Sequence, residues 1–522
     1  MRINISTLTL LFASVFIICP HPVSYAQSPG ALDPTFGSGG IVSTAVGSGN
    51  DIAQAVAVQA DGRIVVAGYA FNGLNNDFAL IRYSPDGMLD ETFDGAFNGN
   101  GIVTTAVGAF NDEAFGISIQ PDGKIVVCGQ SSNGTNRDIA VVRYNIDGTL
   151  DNTFDGDGRA IIPVGPGEDF ARSVAIAADG TIVVAGNASN GTNLDFAVVR
   201  LLPNGSLDSS FGGNSGTGNG IVTTPVGTGD EIGYAVAIQT DDRIVVAGYY
   251  AGPFSTDTVV LRYLADGRLD PTFDGDGIST RAFSPETDEA LALTLQSDGK
   301  IVIAGCIRNG APNDFLLARF QPDGSVDTSF GTGGSSIIPF SGLADIALGV
   351  AVQTDGKIVA VGFGSNGSNN DFAVLRVNEN GSPDTTFGDN GKLRTMIGTS
   401  TDSANAVAIQ ADGKIVVAGR AVINATSDFG VVRFIGSSSG AVISGRVLTP
   451  GGLGLRNARV SMIDSAGAVR HATASTFGFY NFENVQTGGS YTIRVSSKRY
   501  RFASRTVQLD SNLGDFNFVG LE

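Results

Sequence analysis

Histidine and tryptophan are scarce in this sequence of 522 residues, which has two histidines and no tryptophan. His21 lies in an apolar N-terminal segment, so His471 is the only histidine in the rest of the chain. A Ser-His-Asp triad, a multi-histidine metal site and a histidine general base all need histidine beside other reactive groups. The long region between these two residues therefore excludes the commonest histidine-based catalytic sites.

Cysteine is scarce as well. Beyond the N-terminal segment only Cys128 and Cys306 occur, and they fall three repeats apart in the pattern described below. A disulfide needs Cα atoms within about 7 Å. We expect two buried thiols and no disulfide framework.

Long apolar runs are absent after the N-terminus. Arg2 precedes an apolar run from Leu8 to Ile18, and Ser24-Tyr25-Ala26 supplies small residues at a cleavage site. This run is too short to span a bilayer, so residues 1–26 are predicted to be a signal peptide. We expect an exported chain with no transmembrane segment after cleavage, located in the periplasm, on the cell surface or in the medium.

Basic residues are outnumbered, with 32 Lys and Arg against 51 Asp and Glu and a formal net charge of −19. Residues 435–522 hold nine Lys and Arg and only five acids, so the negative charge is concentrated before residue 435. Such a domain should repel nucleic acid and anionic membranes. No nucleic-acid partner is expected.

Glycine, by contrast, is abundant, with 72 residues, and much of it recurs at a fixed spacing. The stretch Asp122-Gly-Lys-Ile-Val-Val-Cys-Gly129 has six relatives, which begin at Asp61, Asp179, Asp241, Asp298, Asp355 and Asp412. Successive starts lie 61, 57, 62, 57, 57 and 57 residues apart. This period indicates a structural repeat of about 57 residues.

Each repeat contains four short segments rich in Val and Ile, bounded by Gly, Asn or Asp. Such segments are typical of β-strands, and the Asp-Gly and Asn-Gly pairs between them are typical of hairpin turns. Hairpin-linked strands predict a four-stranded meander, and radial repetition of such sheets is a β-propeller. We therefore predict an all-β fold with a seven-bladed propeller. A parallel β-helix is the alternative, and whether the Gly-Ile-Val strand begins its own blade or ends the preceding one stays open.

The two ends of the repeat region complement each other. Six repeats end in a motif like Leu89-Asp-Glu-Thr-Phe93, the last repeat lacks it, and Leu32-Asp-Pro-Thr-Phe36 supplies it from the N-terminus. The ring is therefore expected to close by pairing its ends. The predicted domains are the propeller at 27–434, a linker at 435–441 and a small β-sandwich at 442–522.

The repeat resembles the bacterial delta-60 repeat over about residues 31–434. Three motifs carry the resemblance: Asp-Gly-Lys-Ile-Val-Val-Ala-Gly, then Asp-Phe-Ala-Val-Val-Arg-Tyr, then Asp-Gly-x-Leu-Asp-x-Thr-Phe. That resemblance implies a propeller and no agreed biochemical activity. The tail resembles a carboxypeptidase regulatory-like (transthyretin-like) domain, on Gly445-Arg-Val447, Gly478-x-Tyr480-x-Phe482 and Tyr491-Thr. This second resemblance implies a non-catalytic accessory domain of exported proteins.

Charged residues recur in every repeat. An acid and an Arg five residues later lie on opposite faces of one strand, so each is expected to pair with a residue of opposite charge in the neighbouring blade. The alternative is that these residues form a charged lining of the channel. These pairs are Asp77/Arg82, Asp138/Arg143, Asp195/Arg200, Asp257/Arg262, Asp314/Arg319, Asp371/Arg376 and Asp428/Arg433. A second acid is expected to cap a strand start, or to form a cation-attracting ring, at Asp51, Asp112, Asp169, Glu231, Asp288, Asp345 and Asp402.

No cofactor is expected, although Asp155-Gly-Asp157-Gly and Asp274-Gly-Asp276-Gly keep calcium as an alternative to tight turns. The favoured function is an exported, non-catalytic binding or scaffold protein whose partner is an extracellular or envelope protein or a glycan. The alternatives are a lectin- or lyase-like carbohydrate-active propeller and a structural envelope or matrix protein.

A binding site is expected where the repeat is broken. Repeat four has Asp241-Asp242 in place of Asp-Gly and an aromatic stretch in place of the Asn-Gly loop. Tyr249, Tyr250 and Phe254 are the candidate ligand-binding residues, and no catalytic or metal-binding residue is assigned.

Overall fold

The computed structural model describes residues 28–94, 99–212, 218–310, 312–436, 441–465, 467–485, 489–509, 513–514 and 516–521. The expected signal peptide at 1–26, and residues 437–440 of the expected linker, lie outside these ranges. Residues 28–437 form one compact unit and the chain that follows belongs to a second one. None of the described residues form a helix long and apolar enough to cross a membrane.

The first unit is a seven-bladed β-propeller, and each blade is a four-stranded antiparallel meander. Strand β1 (Ile41–Thr44) belongs to the last blade, and strands β2 to β28 follow in order. Their bounds are, for blade 1, Asp51–Val58, Ile64–Phe71, Asn76–Tyr83 and Ile102–Thr105; for blade 2, Asp112–Ile119, Ile125–Ser132, Arg137–Tyr144 and Arg159–Ile162; for blade 3, Asp169–Ile176, Ile182–Ser189, Leu194–Leu201 and Ile221–Thr224; for blade 4, Glu231–Ile238, Ile244–Ala251, Thr256–Tyr263 and Ile278–Arg281; for blade 5, Thr287–Leu295, Ile301–Arg308, Asp314–Phe320 and Ser335–Ile338; for blade 6, Asp345–Val352, Ile358–Ser365, Asn370–Val377 and Lys392–Thr395; and for blade 7, Ser403–Ile409, Ile415–Ile423 and Thr426–Phe434.

The predicted all-β fold and seven-bladed architecture are confirmed. The structure also decides to which blade the Gly-Ile-Val strand belongs. Strand β5, the Gly-Ile-Val segment, pairs with the third strand of blade 1 and is its outer strand. The first strand of each blade is the inner strand, and the seven inner strands contact one another in sequence around the axis. The second and third strands between them are buried almost throughout, because the neighbouring blades cover both of their faces.

Ring closure follows the predicted complementation of the two ends. Strand β1 pairs antiparallel with the third strand of blade 7, with Ile41 opposite Val432. Leu32 forms a bridge with Phe434, and Asp33 accepts a hydrogen bond of 2.8 Å from Arg433 Nε. The N-terminal segment therefore supplies the outer strand and the terminal motif of the last blade.

The expected pairing of Asp77 with an Arg of the neighbouring blade is wrong. Arg82 instead donates from Nε to Asp90 of its own blade at 2.8 Å, and its guanidinium lies 4.5 Å from the centre of the Phe93 ring. From Nη1 it donates to the Ile146 carbonyl of the next blade. The equivalent Arg of every blade repeats this arrangement, so the Arg side chains join consecutive blades through a backbone carbonyl. The alternative of a charged channel lining is also wrong, because these Arg residues are buried between blades.

The expected thiols are buried, since Cys128 and Cys306 are both free and 0 % exposed. They lie on the second strands of blades 2 and 5, Cys128 in an apolar cluster and Cys306 beside Glu289 and Asn313. Burial raises the pKa of both thiols, which makes them poor nucleophiles.

The described residues of the second unit form seven strands in two sheets. In chain order these strands are β29 (Ala441–Leu448), β30 (Arg459–Ile463), β31 (Val469–Thr473), β32 (Phe479–Val485), β33 (Gly489–Ser496), β34 (Arg505–Leu509) and β35 (Phe518–Val519). Their order is β32-β29-β35 in one sheet and β31-β30-β33-β34 in the other. Its core includes Tyr480, Phe482, Phe516 and Phe518, and the Tyr480 hydroxyl donates to the Phe516 carbonyl.

Candidate functional site

A cleft on the propeller axis is the candidate site. Its volume is about 270 Å³, and residues from all seven inner strands line it. Each inner strand carries a β-bulge in its pairing with the second strand, such as the one between Ala53 and Ala55. The residue left out of each pairing lies at the cleft, and the seven are Gln54, Phe115, Arg172, Tyr234, Leu291, Leu348 and Asn405.

These seven residues differ in chemistry, whereas the residues on either side of them do not. The preceding residue is Ala or Gly in every blade, and the one that follows is Ala, Gly or Ser. Two further positions also vary from blade to blade and pair with each other across the strands, as Glu113 pairs with Gln130. Because the seven blades share one backbone structure, residues that are the same in all of them are required by the fold. Residues that differ from blade to blade, such as the seven at the cleft, are not.

An invariant glycine explains how the bulge is accommodated. Gly248, on the second strand, lies opposite Gly233 immediately before the bulge of blade 4. A Cβ atom at Gly248 would overlap the backbone carbonyl oxygen of Ile232. Only glycine allows this approach, and the bulge then directs the extra side chain, Tyr234, to the axis. The same clash would occur at the equivalent glycines of the other six blades, Gly68, Gly129, Gly186, Gly305, Gly362 and Gly419.

Aromatic rings and a guanidinium form one arc of the cleft wall. Arg172 Cζ lies 4.6 Å from the centre of the Tyr234 ring, 5.7 Å from that of Phe170 and 5.8 Å from that of Phe115. Tyr69 extends the arc beyond Phe115, at 6.3 Å between ring centres. Cation–π contacts of this kind stabilise the charged side chain in place. The opposite part of the wall is aliphatic and is formed by Leu291 and Leu348.

The carboxylates close to the cleft are engaged. Glu113 accepts hydrogen bonds from Gln130 and from Asn76 of the preceding blade. Glu289 lies 3.7 Å from Cys306 Sγ, and its pKa is raised by burial. Neither carboxylate is free to act as an exposed general base.

The second recurring acid caps a strand start, as the first of its two expected interpretations stated. Asp51 is fully buried and accepts hydrogen bonds from the backbone N–H groups of Val46, Gly47 and Phe71. Its relatives make similar contacts in the other blades. A buried residue held by backbone donors does not form a solvent-facing cation ring.

The two recurring acids meet across blade boundaries. Asp77 faces Asp112 of the next blade, and burial together with this neighbouring charge raises the pKa of Asp112. In blade 4 the acid is Glu231, which is fully buried beside Asp195 of blade 3. Burial, and then the Asp195 carboxylate, raise the pKa of Glu231 from 4.5 to about 7.

The three residues singled out from the sequence occupy different places. Tyr249 and Tyr250 lie in the second strand of blade 4, not in a loop, and they point to opposite faces. Tyr249 packs behind Tyr234, with ring centres 5.9 Å apart, and so supports a cleft-lining residue without lining the cleft itself. Tyr250 packs in the interface between blades 3 and 4, and Phe254 is 96 % exposed in the following loop. The structure therefore places one of the three behind the cleft wall.

The two Asp-Gly-Asp-Gly segments form turns. Asp155 and Asp274 have positive φ values of 48° and 49°, and Asp276 accepts a backbone hydrogen bond from Ile278. Asp274 forms an ion pair of 2.7 Å with Arg281. Within the described ranges no group of three or more His, Cys, Asp or Glu side chains is placed to hold a metal ion.

The cleft residues were missed from the sequence, although a signal was present. Each inner strand contains a small residue, a variable residue and another small residue in succession, as in Ala53-Gln54-Ala55. Repetition of this pattern in an otherwise uniform unit marks the position. Interruptions of the repeat, by contrast, point to blade 4.

Two family models match the chain. The first, described as "Domain of unknown function (DUF5122) beta-propeller", matches residues 59–93, 120–154, 177–211, 239–273, 296–330, 353–387 and 410–434. The second, described as a carboxypeptidase regulatory-like domain, matches residues 442–518. The chain thus carries seven repeats of this β-propeller family and a C-terminal carboxypeptidase regulatory-like domain, which confirms both resemblances seen in the sequence.

Several solved structures are similar in shape. A catalytically inactive variant of virginiamycin B lyase from Staphylococcus aureus, with quinupristin, has a TM-score of 0.42 and 10% identity over 75% of this chain and 98% of its own. A polysaccharide lyase of family PL25, an ulvan lyase, has a TM-score of 0.34 and 13% identity over 80% and 96%. Sqt1 from Chaetomium thermophilum has a TM-score of 0.40 and 11% identity over 75% and 97%. No curated protein matches the sequence. At these values none of the activities named for those structures is assigned to this chain.

Proposed function

We propose that this chain is an exported, non-catalytic binding protein whose propeller binds its ligand in the axial cleft. One observation carries the proposal: the positions that vary among seven otherwise uniform blades converge on this cleft. A purely structural propeller would have no reason to place seven different side chains at equivalent, half-exposed positions. Concave sites with a few polar groups among apolar walls are the usual places for small ligands.

The size and lining of the cleft favour part of a glycan as the ligand. A volume of about 270 Å³ lies just below the range of about 300–1,000 Å³ that is typical of sites for drug-sized molecules, so it suits about one sugar ring. Tyr234 and Phe115 present apolar rings, and Gln54 supplies an amide group, whereas the amide of Asn405 is held by Ala53 and Ser403. This lining suits a ring that has both apolar faces and polar edges.

Catalysis is not part of the proposal. Glu113 and Glu289 are both engaged with neighbouring side chains, and His471 belongs to the second unit. No metal is invoked either, since the Asp-Gly-Asp-Gly segments are explained as turns. The second unit is proposed to be an accessory domain, and export is proposed from the N-terminal segment.

The test is binding of the purified chain to a panel of polysaccharides and oligosaccharides, with calcium and with a chelator. Replacing Tyr234 with Ala should weaken binding at least tenfold, because a buried aromatic contact is lost. Ile146→Ala, on an exposed turn between third and outer strands, is the control and should bind normally. Binding should not depend on calcium.

Two outcomes would contradict the proposal. If neither Tyr234→Ala nor Tyr249→Ala weakens binding of the best ligand, the ligand does not occupy the cleft. If binding requires calcium, the turns around Asp155 and Asp274 must be reconsidered as ligands. Circular dichroism of each variant verifies that the propeller is folded.

A further inference from the structure

Nearly all basic side chains of the propeller are paired, and two in the cleft region are exceptions. Arg63, Arg243 and most others form ion pairs with carboxylates, and Lys392 and Arg394 donate to backbone carbonyls. Among the described residues, Arg172 and Arg420 have neither an ion-pair partner nor a hydrogen-bond acceptor. In a chain with 51 acids and 32 bases, two unpaired guanidinium groups in one region are unexpected.

Arg172 is held in a way that leaves its hydrogen-bond donors unused. The rings of Tyr234, Phe170 and Phe115 surround its guanidinium at 4.6 to 5.8 Å, and its Nε atom is buried without an acceptor. Rings that stack on a guanidinium occupy its faces, whereas its N–H groups lie in the plane at the edge. The Nη groups of Arg172 also lack an acceptor among the described residues but are not buried, so an acceptor bound in the cleft would be stabilising.

Arg420 lies on the other side of the aromatic arc. It occupies the second-strand position that is Tyr69 in blade 1, and its positive charge acts on the Tyr69 hydroxyl. Its Nε atom is also buried without an acceptor. Arg420 therefore adds a positive charge near Tyr69, at the other end of the arc from Arg172, where the Glu113 carboxylate also acts on the Tyr69 hydroxyl.

We propose that the cleft recognises a single carboxylate carried on a sugar-sized ring, such as a uronic acid residue of an oligosaccharide, with Arg172 as its direct ligand. This inference rests on the proposed function, because it assigns a chemical class to the ligand of the same cleft. A carboxylate matches the edge of a guanidinium and accepts two parallel hydrogen bonds from it. The aromatic arc and the aliphatic wall of Leu291 and Leu348 contact the two faces of the ring.

The charge of the rest of the molecule limits the ligand further. The propeller carries most of the acidic residues of a chain with a formal net charge of −19, so a polyanion would be repelled outside the cleft. A single carboxylate close to Arg172 gains the local attraction and is largely screened from distant charges at physiological salt. An acidic residue within an otherwise neutral glycan fits better than a densely sulfated chain.

The experiment compares matched ligands on matched variants. The ligands are a trisaccharide that carries one galacturonic acid residue beside two neutral sugars and the same trisaccharide with that carboxyl group reduced, both measured by titration calorimetry with the full chain. The wild type should bind the acid at least tenfold more tightly. Arg172→Gln should lose this preference, a drop of about 10- to 100-fold for the acid, because a charge-assisted bond is removed. Arg394→Gln, an exposed arginine outside the cleft, has the same charge change and should retain the preference.

The outcomes separate this inference from the proposed function. Equal binding of both trisaccharides, or a preference that survives Arg172→Gln, overturns the inference. If neutral binding is equal to acid binding but is lost in Tyr234→Ala, the cleft is the site and only the role of the carboxylate is wrong. Absence of binding to both trisaccharides also overturns the inference. The proposed function is overturned if a ligand from the wider panel binds the Tyr234→Ala and Tyr249→Ala variants as tightly as the wild type.

Discussion

Replacing Glu231 with Gln should stabilise the propeller at neutral and alkaline pH. Glu231 is fully buried, and its Oε1 accepts a hydrogen bond of 2.8 Å from the Gly227 N–H. Its Oε2 is buried with no donor among the described residues and lies close to the Asp195 carboxylate. Two buried carboxylates in contact do not readily ionise together, and the pKa of Glu231 is accordingly raised from 4.5 to about 7.

The sign of the effect follows from proton binding. Between pH 4.5 and about 7 the folded chain keeps a proton on Glu231 that the unfolded chain has released. The free energy of unfolding therefore falls as pH rises through this window. At about 1.4 kcal/mol per pH unit, the difference between 4.5 and about 7 gives a loss of about 3 kcal/mol by pH 8, as an upper limit.

Glu231→Gln removes this loss and leaves the packing in place. The amide oxygen can accept the Gly227 hydrogen bond, and the amide N–H group can donate to Asp195. Urea unfolding followed by circular dichroism at pH 5, 6, 7 and 8 measures the difference from the wild type. The variant should be within about 1 kcal/mol of the wild type at pH 5 and more stable by about 1–3 kcal/mol at pH 8.

The exposed acid Glu379, replaced by Gln, is the control for removal of one negative charge and should change stability by less than about 0.5 kcal/mol at each pH. Other buried acids shape the pH profile of the wild type, but they are present in the variant too and cancel in the difference. A Glu231→Gln variant that keeps the pH slope of the wild type, or that loses stability at pH 8, would refute the assignment of a shared proton to this pair.

Three further predictions concern the framework and are measured by urea unfolding. Arg319→Met should destabilise by about 3–5 kcal/mol because it leaves the buried Asp327 carboxylate without its main partner. Lys300→Met, which removes a weaker pair with the same carboxylate, should cost less than about 1 kcal/mol, and equal losses would contradict the stabilising role of the Arg319–Asp327 pair. Gly305→Ala should cost at least about 1–3 kcal/mol, since its Cβ would overlap a backbone carbonyl, while Gly451→Ala should be nearly neutral; a tolerated Gly305→Ala would contradict the bulge geometry. Removing residues 28–44 takes the outer strand from blade 7 and should cost about 3–5 kcal/mol or more; an unchanged stability would contradict ring closure.

Much of the fold was predictable because it repeats. Period, hairpin turns and apolar strands each appear seven times, so a single weak signal such as the Asp-Gly pair at Asp61 becomes strong. The closing segment around Asp33 was predictable for the same reason, since one copy of a motif was missing at one end and present at the other. Repetition could not assign the outer strand, because a strand between two blades has the same spacing to both.

The ion pairs of Arg82 and its relatives were predicted with the wrong partner for a definable reason. The acid five residues earlier, Asp77, is on the opposite face of the strand, so the two could meet opposite charges only in a neighbouring blade. The chain instead turns back after the strand, so Asp90, eight residues later, returns to the guanidinium. Such a return depends on the geometry of the turn, which the spacing of charges alone does not reveal.

The cleft was missed because bulges break the two-residue period on which strand arguments depend. In regular pairing the side chains of Ile52 and Gln54 would lie on one face of the inner strand, and Gln54 would have a partner on the second strand. The extra residue at the bulge frees Gln54 from that pairing, so it lies at the axis. Interruptions of the repeat, such as those near Tyr250 and Phe254, are visible in the sequence, but they do not show which side chains come together in the folded propeller.

The bulge geometry separates the residues that stabilise the fold from the residues that face the cleft. A residue at the bulge has no partner across the ladder and lies half-exposed at the cleft, so changing it removes little of the buried area on which stability depends. Three other positions contribute to stability in every blade, so their residue types are constrained: the glycine opposite the bulge, the arginine that joins neighbouring blades and the acid that caps the inner strand. Since the axis collects one free position from each blade, the chemistry of the cleft can change residue by residue while the ring that builds it stays intact. Ligand specificity in this propeller should therefore be encoded at the bulge positions, with Arg172 as the strongest single determinant.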